Sequence, residues 1–419
     1  MARIRPFRGL RPVPDKIQEV ASPPYDVLSS EEAAEKARGN PNSFLHVIKP
    51  EIDLDPPVDL YGEATYARGG ENLRRLENSG IMIQDEKPGF YLYKLRMGDH
   101  EQTGLVAVAS VEDYEKNIIK KHELTRPDKE NDRMNHIDAL NAQTGPVFLT
   151  HRHNPSIQTL MDEAAKKNPV YDFEGDHGVR HTITRIEEPS LIQRIQDGFQ
   201  AIPALYVADG HHRSAAAARV RDKRRQANHA HTGEESYNYF LCVIFPDSEM
   251  QILDYNRIVT DLGGLTVEAF IERLKERFEV QGCKPEAGGH RHAKPKGLHE
   301  FGLYCDGQWY AMKAREGSFD ANDPIKQLDV SILQENCLAP VLGIGDPRTD
   351  KRIHFVGGIR GLEELERLVD SGKAAAAFAL YPTRIHQLLA VADANQVMPP
   401  KSTWFEPKLA SGVVVHKLD

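Results

Sequence analysis

The chain has 419 residues, 40% of them hydrophobic and 27% charged, the balance of a globular protein with material for two or three domains. This composition excludes a disordered protein, a coiled-coil rod and a collagen-like chain. Its 53 basic and 62 acidic side chains give a formal charge of −9, so bulk charge supplies no attraction to nucleic acid or anionic membrane. Leu105–Ala109, Phe240–Phe245 and Ala374–Tyr381 are among the longest apolar runs, far short of the roughly 20 residues that span a bilayer. The basic segment Met1–Arg8 lacks the apolar stretch of a secretory signal. Cys242, Cys283, Cys305 and Cys337 form no C-x-x-C pair and read as reduced thiols, so a cytoplasmic protein is expected.

Prolines 6, 12, 14, 23, 24, 41, 50, 56 and 57 punctuate the first hundred residues. A short strand is expected at Phe44–Ile48, and helices at Ser30–Arg38 and Tyr61–Leu76. Ser30 with Glu31, Glu32 and Glu35 supplies a cap and first-turn acids. Phe90–Leu95 alternates, Gly98-Asp99 turns and Thr103–Val111 returns, which predicts a hairpin. Lys120–Arg133 is a dense polar stretch, a solvated loop or a charged helix face. Pro146–Leu149 and Thr182–Ile186 read as strands, and Ser190–Phe199 as a short amphipathic helix. The strand Ala204–Ala208 then meets an abrupt polar turn and an alanine-rich helix, about His212–Ala227. Tyr239–Phe245 is apolar throughout and reads as a central strand. Beyond it come a helix at Val267–Phe278, a charged glycine-rich loop at Cys283–Lys296, and a hairpin, Phe301–Cys305 and Trp309–Lys313, turning at Asp306-Gly307. Helices are expected at Asp329–Leu338 and Leu362–Ser371. The order predicts an α+β fold in three parts, 1–103, 104–262 and 263–419.

The sharpest local feature is Asp209-Gly210-His211-His212-Arg213, where an apolar strand ends and a helix starts at once. Exposed N–H groups at a helix N-terminus form an anion site, to which two histidines and an arginine add donors and charge. Asp209 sits at the strand end, where a metal or a hydroxyl could meet it. The plainer reading makes Asp209 a cap, Gly210 a turn residue and the histidines surface groups.

That turn resembles the phosphate-binding turn of the ParB/sulfiredoxin-like superfamily, which includes the free serine kinases. The resemblance covers roughly residues 100–260 and implies a ParB/sulfiredoxin-like mixed-sheet core with added N- and C-terminal α/β segments. It also implies ATP or ADP with Mg²⁺, a phosphate cradle at Gly210, His211, His212 and Arg213, and a catalytic glutamate at Glu123, after His122. A positioned carboxylate can accept the proton of a serine hydroxyl as it attacks phosphorus. Arg126, Lys129 and Arg133 could neutralise phosphate charge, though charge runs are usually solvated faces. The whole chain resembles the domain-of-unknown-function family 1015, on Arg5–Pro12, Ser22–Val27 and Met398–Phe405. Within these segments Tyr25, Asp26, Lys401 and Ser402 are candidate substrate contacts. A rigid surface turn and a tail docked through Trp404 and Phe405 explain the same residues.

No G-x-x-x-x-G-K-[ST] and no G-x-S-x-G occurs. The pairs His151/His153, His229/His231 and His290/His292 lack further ligands at zinc spacing. The basic cluster Arg219–Arg225 closes a helix C-terminus, which its dipole favours. The resemblance therefore implies a nucleotide-dependent phosphotransferase for a small hydroxylated metabolite, most specifically a free serine kinase with Asp209 as metal or hydroxyl partner. The alternative is a nucleotide-gated, DNA-associated regulator of the ParB type, for which no helix-turn-helix pattern is apparent. Nucleic acid is disfavoured as a partner, no membrane partner is expected, and a homo-oligomer is left open.

Overall fold

Two extended apolar segments around a Gly-Asp turn should pair with each other, and in the computed structural model they lie at the centre of a large sheet. The structure describes residues 2–55, 59–283 and 293–418 and divides into two units, Met1–Met250 with Pro407–Asp419, and Gln251–Glu406. The glycine-rich loop expected at Cys283–Lys296, with His290 and His292, falls largely outside the described residues, as do Pro56 and Pro57.

The first unit is built on strands β1 (Ile4–Arg5), β2 (Phe90–Met97), β3 (His100–Ser110), β4 (Ile119–Lys120), β5 (Val147–His151), β6 (Tyr171–Glu174), β7 (Arg180–Ile186), β8 (Leu205–Asp209) and β9 (Tyr239–Pro246). They join in the order β4-β8-β5-β9-β3-β2-β7-β6, with β1 added to β3. β4–β8 and β5–β9 are parallel and the other neighbours antiparallel, so the fold is α+β with a mixed sheet. β9 is buried along its whole length, as its unbroken apolar run requires of a strand covered on both faces. Leu105, Val147, Leu149, Phe199, Leu205 and Phe240 share one core cluster. Each such fully buried side chain contributes roughly 1.5–3 kcal/mol.

Three helices position the site: α1 (Glu63–Asn78), α2 (Pro127–Leu140) and α3 (His211–Ala227). Close approach is why α1 carries Gly69 and Gly70, where a Cβ would lie 2.9 Å from the carbonyl oxygens of Val47 and Ala139. Ile137 of α2 packs with Ala216 and Val220 of α3 and with Leu418. The helix expected at Ser30–Arg38 spans Ser30–Ala37, but its cap is Ser29, in a reciprocal capping box with Glu32. Phe44–Ile48 is not a strand. Leu45–Ile48 forms one helical turn, which lets Phe44, Leu45, Val47 and Ile48 all enter a second core with Leu10, Leu73, Leu140 and Val415.

The second unit holds β10 (Gln251–Leu253), β11 (Tyr255–Val259), β12 (Phe278–Gly282), β13 (Glu300–Cys305), β14 (Gln308–Ala314), β15 (Ile353–Gly357), β16 (Ala376–Leu380) and β17 (Trp404–Glu406). Six of them form an antiparallel sheet, β12-β14-β13-β16-β11-β15, and β10 pairs with β17 as a separate ribbon. The helix expected at Asp329–Leu338 is α-helical only to Leu333 and continues as a π-turn over Gln334–Leu338. No described helix is long and apolar enough to cross a membrane.

These two units divide the chain differently from the three parts expected. Position 103/104 falls inside β3, and the core formed by the residues before it is shared with later ones, Leu10, Phe44 and Leu73 packing with Leu140 and Val415. The chain leaves the first unit at Gln251 and returns to it at Pro407.

Candidate functional site

The polar turn after β8 is set by backbone geometry. The register opposite β5 shifts between Val207 and Asp209, a bulge that re-aims the strand end. Gly210 follows at φ 98°, ψ 30°, a left-handed conformation that glycine adopts without a Cβ penalty. A Cβ there would also lie 2.9 Å from Arg213 Nε. The first helical bond runs from Ser214 N–H to Gly210 O at 3.0 Å, so the N–H groups of His211, His212 and Arg213 have no intrahelical acceptor. No side chain caps this helix start, which presents the positive end of the dipole.

Arg213 folds back beside this end. It donates to Pro146 O and to Asp209 Oδ2, the latter at 3.4 Å. Burial opposes its charge, but Asp209, Asp26 and Tyr25 outweigh that and raise its pKa. Lys408 Nζ also reaches Asp209 Oδ2 at 3.4 Å. Burial would raise the Asp209 carboxyl; Lys408 and Arg213 overcome it and hold the group far below the usual carboxylate range. A divalent ion on Asp209 would compete with both cations. Arg213, Arg133, Tyr25, Thr144 and Ser411 line one cleft. The Arg133 guanidinium stacks 4.0 Å from the Tyr25 ring centre and donates to Asp132 at 2.9 Å, while Tyr66 O–H donates to the other Asp132 oxygen at 3.0 Å. Burial pushes the Tyr25 hydroxyl up to about 12. The proline-stiffened loop is thus drawn to the site, pinned by paired backbone bonds between Ser22 and Ser411 of 3.1 and 2.8 Å.

A second group adjoins the turn. The His122 and His211 rings meet edge to face at 4.4 Å, and His211 Nδ1 lies 3.6 Å from Glu123 Oε2. Both histidines are buried, whereas the Glu123 side chain is 42% exposed. Burial pushes His122 down to about 4, and burial together with the neighbouring His122 holds His211 well below the ordinary imidazole range. Among the described residues, His122, Glu123 and His211 are the group of side chains able to close on a metal ion.

The other candidates have identifiable partners. His212 Nε2 accepts from Arg126 N–H at 3.1 Å, tying the turn to the start of α2. The Arg126 side chain pairs with Asp128 at the surface, and Lys129 Nζ donates to Tyr61 Oη at 2.8 Å. Asp26 is exposed. Lys401 and Ser402 belong to the second unit, where Lys401 O accepts from Arg257 at 2.9 Å and the buried Ser402 hydroxyl donates to Pro399 O at 2.6 Å. In the basic cluster, Arg219 pairs with Glu130, Arg221 with Glu115, and Lys223 and Arg224 with Asp138. Sequence reasoning missed Lys408, Ser411 and the partnership of His122 with His211. Only the lysine of Glu406-Pro407-Lys408 signalled any of these, and nothing near it indicates a carboxylate 199 positions away.

The family model described as Protein of unknown function (DUF1015) matches residues 4–331. The chain belongs to this family. No curated protein matches the DUF1015 chain in sequence. Solved structures similar to it include a free serine kinase variant in complex with AMP, at 11% identity and TM-score 0.35, covering 72% of this chain and 87% of that one. A conserved hypothetical protein from Pyrococcus furiosus is similar at 15% identity and TM-score 0.32, covering 72% and 90%. SbnI with a C-terminal truncation, from Staphylococcus aureus, is similar at 10% identity and TM-score 0.34, covering 73% and 84%. Likeness at this level says nothing of the chemistry of the DUF1015 chain.

Proposed function

We propose that this DUF1015 protein is a nucleotide-dependent phosphotransferase with a ParB/sulfiredoxin-like core, acting on a small hydroxylated metabolite, with free serine as the specific acceptor. The observation that carries the reading is the uncapped start of α3 beside a cleft shared by Arg213 and Arg133, with the half-exposed carboxylate of Glu123 against His211. Free N–H groups, a helix dipole and two guanidinium groups are the means by which proteins hold phosphates without a P-loop.

ATP or ADP binds with its phosphates at Gly210–Arg213 and toward Arg133. Mg²⁺ would be held mainly by phosphate oxygens and water, as suits a hard ion, with Asp209 joining it in competition with Arg213 and Lys408. Glu123 takes the proton of the acceptor hydroxyl as its oxygen bonds to phosphorus and the bridging P–O bond to the departing nucleotide breaks. Tyr25 and Asp26 bound the acceptor side. The carboxylates paired with Arg219–Arg224 weaken the case for a DNA-binding surface.

The test is phosphorus NMR with ATP or ADP, Mg²⁺ and serine, threonine, homoserine or glycerate offered separately. One acceptor should become phosphorylated, and Glu123→Gln should lower that rate on the order of 10²–10⁴-fold with nucleotide binding intact. Nucleotide turnover that ignores every acceptor and responds to DNA would overturn the reading.

A further inference from the structure

Glu123 and the two histidines beside it carry features that phosphoryl transfer does not require. His122 and His211 come from separate elements, the segment after β4 and the first residue of α3, yet they meet at one point with Glu123. One ligand atom from each residue lies within 4.8 Å of the others. Donors on one ion at about 2.0–2.2 Å stand roughly 3–3.5 Å apart, so an ion has to draw these groups in by about 1 Å. The half-exposed Glu123 carboxylate can make that adjustment.

Each histidine has a buried ring nitrogen with no hydrogen-bond partner, and on His211 it is the nitrogen opposite to Nδ1, which faces Glu123. His122 Nδ1 and His211 Nε2 have no hydrogen-bond partner, in residues only 2% and 3% exposed. Unpartnered buried polar atoms of this kind call for an explanation such as an ion or a bound water. His122 also has a hydrogen bond with the Val207 backbone. With Nδ1 the unpartnered nitrogen, that bond leaves Nδ1 to ligate, as when a backbone carbonyl orients a ligating histidine. The positive end of α3 opposes a cation here; the charges of Glu123 and Asp209 offset it.

We propose that His122, His211 and Glu123 form a site for a borderline divalent transition-metal ion, of the zinc or cobalt class. Two imidazoles and one carboxylate suit these ions, whereas Mg²⁺ and Ca²⁺ take oxygen ligands. Three protein donors leave a coordination position open to an oxygen of water, a phosphate or a hydroxyl, so the bound ion acts as a Lewis acid beside the start of α3. Glu123 binding through one oxygen keeps the second for a proton. The site goes beyond the phosphotransferase reading and does not depend on it.

The experiment is titration of the EDTA-dialysed full-length chain with Co²⁺, followed by its visible d–d absorption, and competition with Zn²⁺. The expected result is saturation at one equivalent, displacement by zinc, and a loss of affinity of roughly a hundredfold or more in Glu123→Gln, a half-exposed position whose exchange spares the core. His122→Gln and His211→Gln should abolish the signal, with circular dichroism reporting their folding. His229→Ala, at an exposed histidine, should leave it unchanged. Absence of a saturable cobalt signal, or a signal that survives Glu123→Gln unaltered, would overturn the proposal. No nucleotide enters the measurement, so a failure here is distinct from a failure of the kinase assay.

Discussion

Arg213 joins three parts of the site: the carbonyl of Pro146, the carboxylate of Asp209 and the cleft it shares with Arg133 and Tyr25. Its replacement by alanine removes a charge-assisted donor from the phosphate cradle, worth about 1.5–3 kcal/mol of binding. That is roughly a ten- to hundredfold rise in Kd for ADP, to be read by calorimetry on folded protein. Unchanged affinity would remove Arg213 from the nucleotide site. Lys408 makes a second kind of contribution, because with Arg213 it keeps Asp209 ionised. Lys408→Gln therefore raises the Asp209 pKa, and any acid limb that Asp209 sets on the activity profile moves to higher pH. Asp209→Asn tests the carboxylate directly, and wild-type turnover in that variant would show that Asp209 takes no part.

The strand-turn-helix unit β8–Gly210–α3 was legible in the sequence because each signal agrees with the next: an apolar run, a glycine and an alanine-rich stretch. The structure adds why glycine stands there. Gly210→Ala should cost about 1–2 kcal/mol from the left-handed backbone alone and should push Arg213 aside. Thermal unfolding and ADP titration on one sample check both effects, and a variant with wild-type values in both would show that the turn is not strained. α2 was less legible. Its first two turns are charged, and its apolar residues Met134, Ile137 and Leu140 arrive late, so no periodicity marks Lys120–Arg133 as the approach to a helix. The apolar run at Phe44–Ile48 carries the opposite ambiguity, since four or five such residues fit a strand or a buried helical turn equally. The triad His122–Glu123–His211 joins residues nearly ninety positions apart, and only the packing of β4 against β8 brings them together.

At the scale of the molecule, the second unit is an insertion in the first. Gln251 and Glu406 are direct partners in the β10–β17 ribbon, so the two ends of the insertion lie side by side. Replacing 251–406 by a few glycine and serine residues should leave the first unit folded, with its ADP affinity changed less than tenfold. A molten or aggregated product would refute this separability. Stability should also depend on acid in a defined sense. His136, bonded to Val47 O at 3.0 Å, and His181, bonded to Tyr93 Oη at 2.7 Å, are both pushed by burial from 6.5 down to about 4. The unfolded chain binds the extra protons, so their contribution is complete above about pH 6.5 and is lost as pH falls toward 4, by at most about 3 kcal/mol each. Urea midpoints at pH 7.5 and 5 should differ accordingly; equal midpoints would mean that these rings are already charged when folded. The return of the chain at Pro407 has a consequence for synthesis. Lys408, Ser411 and the strand residues His416–Lys417, which pair with Ala142–Gln143, are translated only after the whole insertion. At about 5–20 residues per second, the ribosome withholds them for roughly ten seconds or more after β9 is complete. Throughout that interval the nascent first unit carries Asp209 without one of its cations and a core still lacking Val415, so its cleft is finished by the return of the chain at Pro407 rather than by the folding of its own strands.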